Sequence, residues 1–258
     1  MADDRGWQRF RTCGVRIDAM DLEEAVLRIV GGQTIGAVHL CNAYTLSLAT
    51  RDPVLASVLE RGALNLPDGM PLVWISRRLG LDLQARVYGP DLMARTLDVG
   101  QRFGTTHYLL GSTPEVLHDL EAVIARRWPD ARVVGTESPP LSTALDDFDA
   151  ALDRIIGIGP DVVWIGLGTP KQDLVADRLA GRGLTMAALS IGAAFDFLAG
   201  AKSQAPVWMQ QRGLEWVYRL ATEPRRLWRR YLIGNSRFIL ANVRQRPHVL
   251  SAINREMP

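Results

Sequence analysis

Short apolar runs alternate with stretches of helical spacing along most of this 258-residue chain. Residues 162–167 and 185–191 are apolar almost throughout, which is typical of strands buried on both faces of a parallel sheet. Residues 171–180, which lie between them, have helical spacing. Such strand–helix–strand units place helices on both faces of a sheet. The sequence therefore predicts an α/β fold, a Rossmann-like and mostly parallel sheet covered by helices.

The same alternation continues on both sides of this unit and then stops. Further strands are predicted at 15–20, 35–40, 63–66, 106–110 and 132–134, and further helices at 53–60, 70–79, 91–103, 113–128 and 145–156. From Pro206 onward the pattern is helical, at 208–220 and 224–246, and no strand is predicted after these helices. We therefore predict an α/β domain over residues 1–204 and a helical appendage over residues 205–258.

The predicted appendage is strongly basic. From Lys202 onward the chain has 11 Lys and Arg residues against 3 Asp and Glu residues, although the net charge of the whole chain is only +2. Tryptophan and tyrosine are interleaved with the arginines. Such a helix suits an anionic membrane surface, and it would equally suit the phosphates of a nucleic acid. A third interpretation is a solvated basic helix whose aromatic side chains pack on the rest of the protein.

Several bulk features indicate a cytoplasmic protein. Two cysteines, Cys13 and Cys41, are too few for a disulfide framework, and they form no zinc-binding cluster with histidine. The first residues, MADDRGWQRF, include acids and lack the apolar core of a signal peptide. No apolar run is suited to span a membrane. We expect any membrane association to be peripheral.

Polar residues follow several predicted strands, at the sheet edge where α/β proteins bind ligands. They include Asn42, Asp68 and the run from Thr169 to Gln172. Asp68 lies in the stretch NLPDGMP at residues 65–71. Asp-Gly pairs are common in turns, so Asp68 has a purely structural interpretation. The alternative is a general base, because apolar neighbours would raise the pKa of a carboxyl group toward the useful range.

The stretch VVWIGLGTPKQD, residues 162–173, joins a predicted strand to a helix. Its glycines would let a phosphate approach the backbone N–H groups of Gly168 to Lys171 at the positive helix end. It is not a complete GxGxxG motif, and no acid follows near Met186 to bind a ribose, so a dinucleotide site is disfavoured. Gln172 fits a capping box that begins at Thr169, or a ligand contact, and the two roles can coexist.

Asp147-Phe148-Asp149 matches the DxD pattern that binds a metal–nucleotide in many glycosyltransferases. It lies at the start of a predicted helix, where acidic residues complement the helix dipole, and we favour this structural interpretation. The four histidines are scattered without metal-binding spacing. The sequence therefore predicts no metal site.

Several stretches, in this order, resemble the WecG/TagA/CpsF family of bacterial glycosyltransferases. They are Leu40-Cys41-Asn42, Leu66-Pro67-Asp68-Gly69, the run RVYGPDL at 86–92, GLGTPKQD at 166–173, IGAAFD at 191–196, and Ala205-Pro206 through GLEW at 213–216 to Glu223-Pro224-Arg225-Arg226. Each stretch alone is weak, whereas the ordered set, which covers about residues 15 to 240, is specific.

The resemblance implies a peripheral enzyme on the inner face of the bacterial plasma membrane. It would move a hexose with inversion, and without a metal or other cofactor, from a UDP-sugar to a sugar on undecaprenyl diphosphate. Asp68 matches the family's base, and Asn42, Arg86 and Gln172 match its pocket residues. The family's arginine-rich appendage matches Arg219, Arg225, Arg226 and Arg229.

Two positions depart from the family pattern: Leu40, where threonine is frequent, and Asp173, where glutamate is frequent. Leu40 bears on the identity of the donor sugar, which the sequence leaves open among N-acetylmannosamine, its uronic acid, glucose and other hexoses. A homo-oligomer is possible, and no nucleic-acid partner is expected. Two other classes stay open: a nucleotide-dependent oxidoreductase on the same fold, and a non-catalytic adaptor that binds a membrane or a nucleic acid through the basic tail.

Overall fold

The computed structural model of the chain describes residues 7–139, 144–183 and 185–250. The N-terminal residues 1–6 and the last residues of the predicted appendage, 251–258, lie outside the described residues. The strands are β1 Arg9–Thr12, β2 Val15–Asp18, β3 Gly36–Cys41, β4 Leu64–Pro67, β5 Thr106–Gly111, β6 Arg132–Glu137, β7 Val162–Gly166, β8 Ala187–Ser190 and β9 His248–Leu250.

Helices connect these strands and follow the last strand of the main sheet. They are α1 Leu22–Val30, α2 Ala43–Ala49, α3 Pro53–Arg61, α4 Met70–Arg78, α5 Gly89–Gly100, α6 Pro114–Arg127, α7 Asp149–Ile158, α8 Lys171–Ala180, α9 Ala194–Leu198, α10 Val207–Gln211, α11 Glu215–Thr222, α12 Pro224–Trp228 and α13 Gly234–Arg244. Short 3-10 turns occupy Gln101–Phe103 and Asp146–Phe148, and a π-helical turn at Arg229–Ile233 joins α12 to α13.

The central sheet has six parallel strands in the order β4-β3-β8-β7-β5-β6. Its middle strands are buried on both faces: Val163 and Ala188 pair in register, and Trp164 beside them is fully buried. Separate apolar clusters cover the two faces, one including α1, α5 and α6 and the other including α7 and α8. The predicted α/β fold with a parallel sheet is confirmed.

A second, three-stranded antiparallel sheet, in the order β2-β1-β9, joins the two ends of the chain. Phe10 of β1 pairs with Val249 of β9. The prediction that no strand follows the C-terminal helices was therefore wrong. The physical reason is that β9 has only three residues, too few to show an alternating pattern, and its partner lies at the other end of the chain.

The helices after Pro206 lie against the α/β part. The predicted helix at 208–220 is divided into α10 and α11 around Gly213, whose φ of 70° is in the left-handed region. Further along, α13 packs on α2, and Gly234 allows its backbone to approach the Tyr44 ring closely. Phe238 of α13 is buried in a third apolar cluster with Phe10 and Leu46. These contacts bring the basic helices to the carboxyl ends of β3 and β4.

Candidate active site

Asp68 lies directly after β4, with its backbone N–H donating to the carbonyl oxygen of Cys41 at 2.8 Å. Gly69, the N-cap of α4, has an extended φ of −166° that any residue can adopt, and no side chain among the described residues caps this helix. The Asp68 side chain does not cap the helix. Its Oδ2 accepts a hydrogen bond from Asn42 Nδ2 at 3.3 Å, and its buried Oδ1 has no hydrogen-bond partner among the described residues.

The surroundings of Asp68 raise its pKa to about 7. Burial is the largest cause, because it disfavours the charged carboxylate. The positive charge of Arg86 acts in the opposite direction, and the negative charge of Glu215 raises the pKa further. A carboxyl group with this pKa and one oxygen without a protein partner can accept a proton from a hydroxyl group near neutral pH.

Asn42 follows β3 and caps α2. Its side-chain Oδ1 accepts hydrogen bonds from the backbone N–H groups of Tyr44 at 3.1 Å and Thr45 at 3.2 Å. This fixes the amide so that Nδ2 points to Asp68. Asn42 therefore orients the Asp68 carboxylate, and its polar atoms are largely occupied by contacts within the protein.

Arg86 enters the same cleft next to β4, because the backbone N–H of Val87 donates to the carbonyl oxygen of Pro67 at 2.8 Å. Its guanidinium lies 4.0 Å from the centre of the Tyr88 ring. Arg86 Nη1 lies 2.6 Å from Glu215 Oε2 of α11, and both side chains are only 13% exposed. Arg86 Nη2 also donates to Gln210 Oε1 at 3.1 Å. The C-terminal helices thus contact a predicted site residue directly.

Gln172 joins two loops at the sheet edge. It is buried, and its Oε1 accepts hydrogen bonds from the backbone N–H groups of Gly168 at 3.1 Å and Gly192 at 2.9 Å. Its Nε2 donates weakly to Thr169 Oγ1 at 3.5 Å. The backward bond to Gly168 resembles a capping contact, but α8 begins after Pro170 and not after Thr169.

The loop before α8 presents a limited set of donors to the cleft. The N–H of Gly168 is bonded to Gln172, and Pro170 has no N–H. The backbone N–H groups of Thr169 and Lys171 donate no hydrogen bond to any of the described residues. These two groups, the Thr169 hydroxyl and the Lys171 ammonium remain for an anion at the positive end of the helix.

One cleft of about 1520 Å³ contains all of these groups. It is lined by every residue that the sequence predicts in the pocket: Asn42, Asp68, Arg86, Gly168, Thr169, Lys171 and Gln172. The opposite wall consists of residues of the C-terminal helices. The cleft therefore lies between the carboxyl ends of the parallel strands and the basic appendage.

The comparison with known protein families decides what kind of protein has this cleft. The model of the glycosyl transferase WecG/TagA/CpsF family matches residues 10–250. The chain belongs to this family. Two relatives are N-acetylglucosaminyldiphosphoundecaprenol N-acetyl-beta-D-mannosaminyltransferases. The one from Bacillus spizizenii is 29% identical over 184 residues, 71% of this chain and 70% of the relative. The one from Bacillus subtilis is 29% identical over 201 residues, 78% and 77% respectively.

The arginines of the glycosyltransferase divide into two groups. Of the four predicted to bind lipid phosphates, Arg219 and Arg226 line the cleft, whereas Arg225 and Arg229 are exposed and do not line it. The sequence interpretation missed Arg230, which lines the cleft above the Tyr44 ring, at 4.4 Å from its centre. Helical spacing could have revealed this division, since residues four positions apart share a helix face.

Arg230 has few partners for a cation in such a position. Its Nε is buried without a hydrogen-bond partner among the described residues, and burial lowers its pKa.

Glu215 is the second residue that the sequence interpretation missed. Only the tertiary contact with Arg86 identifies it.

The residues of the DxD stretch, Asp147 to Asp149, are not among the described residues that line the cleft of the glycosyltransferase. Asp149 pairs with Arg178 of α8 at 2.7 Å and with Arg182, and Phe148 is buried. The described part of the chain contains no group of three His, Cys, Asp or Glu residues that could hold a metal ion. Within that same part, no helix combines the length and the hydropathy needed to cross a membrane.

Proposed function

We propose that the enzyme transfers a hexose with inversion from a UDP-sugar to a sugar on undecaprenyl diphosphate, with Asp68 as the general base. The observation that supports this best is the Asp68 carboxyl group in a cleft that arginines border, with a pKa of about 7 and an Oδ1 that has no hydrogen-bond partner in the described part of the chain. The names of the two relatives support the acceptor class, because both act on an N-acetylglucosaminyl diphosphoundecaprenol.

In the proposed reaction, Asp68 Oδ1 takes the proton of the acceptor hydroxyl as its oxygen attacks the anomeric carbon. The bond from that carbon to the UDP oxygen breaks, and UDP leaves with the electron pair. A single displacement on the face opposite UDP inverts the anomeric centre. A base with a pKa close to the working pH is suited to this proton transfer.

The leaving diphosphate is stabilised in this proposal by the groups at the start of α8. The N–H groups of Thr169 and Lys171, together with the Lys171 ammonium, would bind the charge that develops on UDP. The reaction in this form uses no metal. The names of the two relatives favour N-acetylmannosamine as the transferred sugar. Leu40 lines the cleft and is a residue that could alter this preference.

A screen of UDP-sugars against a short-chain lipid-diphosphate-sugar acceptor, read by mass spectrometry, tests the proposed reaction. We expect one donor to add the mass of a single sugar to the acceptor and to release UDP. If no UDP-sugar yields product while the chain binds NAD in a titration, the proposal is replaced by the oxidoreductase interpretation.

We further propose that the appendage docks on the anionic inner face of the plasma membrane. The outward arginines Arg225 and Arg229 lie on the same segment as the exposed Trp228, and Trp208 is exposed on α10. Each basic residue near an anionic surface contributes about 1 kcal/mol, and interfacial tryptophans add apolar contact.

Vesicles that contain anionic lipid test the membrane proposal. The double variant Arg225→Gln/Arg229→Gln should lose most of its vesicle binding at low salt while its thermal stability stays unchanged. Arg154→Gln, an exposed arginine of α7, is the matched control and should bind like the wild type. Equal binding of the wild type and the double variant would contradict the membrane role of these arginines.

A further inference from the structure

The cleft continues past Asp68 into a groove between α4 and α13. Helix α4 begins two residues after Asp68, and its residues Pro71, Trp74, Ile75 and Arg78 line one wall at helical spacing. The other wall is formed by residues of the π-helical turn and α13, again at helical spacing: Leu232, Asn235, Ser236, Ile239, Asn242 and Val243. Two helix faces therefore border one open channel.

Much of this channel is apolar and uncovered. Trp74 is 47% exposed, Ile239 62% and Val243 70%. Exposed apolar surface of this extent, when it is continuous with a binding cleft, marks an interaction site. We call the surface of Trp74, Ile75, Leu232, Ile239 and Val243 the prenyl groove.

The chemical groups that line the cleft limit what can occupy the groove. The charge of Asp68 interacts with those of Arg219 and Arg230, and the apolar Leu232 follows Arg230 by two residues in the π-helical turn. A sugar diphosphate attached to a hydrocarbon chain carries three matching groups: a hydroxyl for the carboxylate, a diphosphate for the arginines and a chain for the apolar surface. Neither a nucleotide nor a free sugar has an apolar end.

We propose that the prenyl groove binds the first isoprene units of the acceptor's hydrocarbon chain. This inference rests on the proposed function, because that function supplies a polyprenyl diphosphate as the acceptor carrier. The nine residues of α4 rise about 13 Å, so the groove is long enough for several units of an extended chain. Binding in the groove would align the acceptor sugar with Asp68, even for an acceptor outside a membrane.

Titration with soluble prenyl diphosphates tests the groove without any membrane or donor sugar. The 258-residue chain is titrated with isopentenyl diphosphate, which has five carbons, and with farnesyl diphosphate, which has fifteen. Burial of the added carbons should make farnesyl diphosphate bind at least about tenfold more tightly. Equal affinities for the two ligands would overturn the proposal.

Three variants locate the effect. Ile239→Asp and Trp74→Ala, on opposite walls, should each remove most of the farnesyl advantage and leave the affinities for isopentenyl diphosphate and UDP unchanged. Leu240→Asp is the matched control, since Leu240 is 47% exposed on the same helix but does not line the cleft. If Leu240→Asp weakens farnesyl binding as much as Ile239→Asp does, the chain binds to apolar surface in general and the groove is not the site.

Two further outcomes separate this proposal from its alternatives. If sedimentation shows that the wild type is a dimer and Ile239→Asp is a monomer, the groove is an interface between copies and the proposal is overturned. If farnesyl diphosphate binds in the groove as expected but no UDP-sugar yields product, the groove stands and the proposed reaction fails. If product forms at the same rate whatever the length of the acceptor's hydrocarbon chain, and the two prenyl diphosphates bind equally, the proposed reaction stands and the groove proposal fails.

Discussion

At the scale of single residues, the side chains around Asp68 set its pKa by opposing effects. Burial and the carboxylate of Glu215 raise this pKa, whereas Arg86 and the hydrogen bond from Asn42 lower it. Because Glu215 also pairs with Arg86 at 2.6 Å, it reduces the influence of the arginine on Asp68. Glu215 thus links the C-terminal helices to the ionisation of Asp68.

This arrangement predicts how activity depends on pH. A general base must be deprotonated, so kcat/KM should rise with pH through about 7 and then level off. Glu215→Gln removes the charge that raises the pKa of Asp68 and frees Arg86, which lowers it. The rising part of the profile should therefore move to lower pH.

The control for this experiment is Glu223→Gln, which removes a carboxylate of the same helical segment that pairs with Arg226 instead. Its pH profile should coincide with that of the wild type. A Glu215→Gln profile that stays in place, or moves to higher pH, would contradict the role assigned to Glu215.

At the scale of secondary-structure elements, Gln172 connects the loop before α8 to the loop after β8. Gln172 Oε1 accepts hydrogen bonds from the backbone N–H groups of Gly168 and Gly192, so both loops are held at the same edge of the sheet. Beneath it, Asp173 Oδ1 lies 2.9 Å from His39 Nδ1 of β3, which fixes the start of α8 against the sheet.

Gln172→Ala should leave both N–H groups without their protein acceptor and lower the free energy of unfolding by about 1–2 kcal/mol. The loosened loops should also weaken UDP binding. Chemical denaturation and a UDP titration measure the two effects. Lys171→Ala, which removes no such hydrogen bond, should weaken UDP binding without changing stability. If Gln172→Ala has wild-type stability, Gln172 does not hold the loops together.

The sequence predicted the elements best where a regular pattern was long. Helix α8 and the buried strands β7 and β8 are found within a few residues of their predicted positions, because apolar runs and helical spacing act locally. Helices α2 and α9 were missed because each has seven residues or fewer. The pairing of β1 with β9 joins the ends of the chain, and no local pattern reports such a contact.

The residues of the candidate site were predicted to different degrees. Position after a strand identified Asn42, Asp68 and Gln172, because parallel strands bring their carboxyl ends to one edge. The contact between Arg86 and Glu215 could not be predicted in this way, since it depends on how the C-terminal helices fold back. The same folding determines that Arg230 faces the cleft and Arg229 does not.

At the scale of the whole molecule, the C-terminal helices share a core with the α/β part. Phe238 is buried together with Phe10 and Leu46, and Thr12 Oγ1 donates to Asn242 Oδ1 at 2.5 Å. Removal of everything from Pro206 onward would therefore expose part of this core. Point substitutions are the better way to test what the appendage does.

Phe238→Ala should lower the free energy of unfolding by about 3 kcal/mol, and unfolding should remain a single transition. The exposed neighbour Ile239 is the control, because Ile239→Ala should change stability by less than about 0.5 kcal/mol. Calorimetry measures both. A Phe238→Ala protein that unfolds in two separate steps, with the main step unchanged, would show that the appendage folds independently.

The rate of sugar transfer by Asp68→Asn tests the central claim most directly. Asparagine has nearly the same shape but cannot accept the proton, so we expect transfer to fall by about 100-fold or more while UDP affinity stays at the wild-type value. The measurement compares turnover of the identified UDP-sugar and UDP titration for the two proteins. Wild-type turnover by Asp68→Asn would contradict the assignment of Asp68 as the general base.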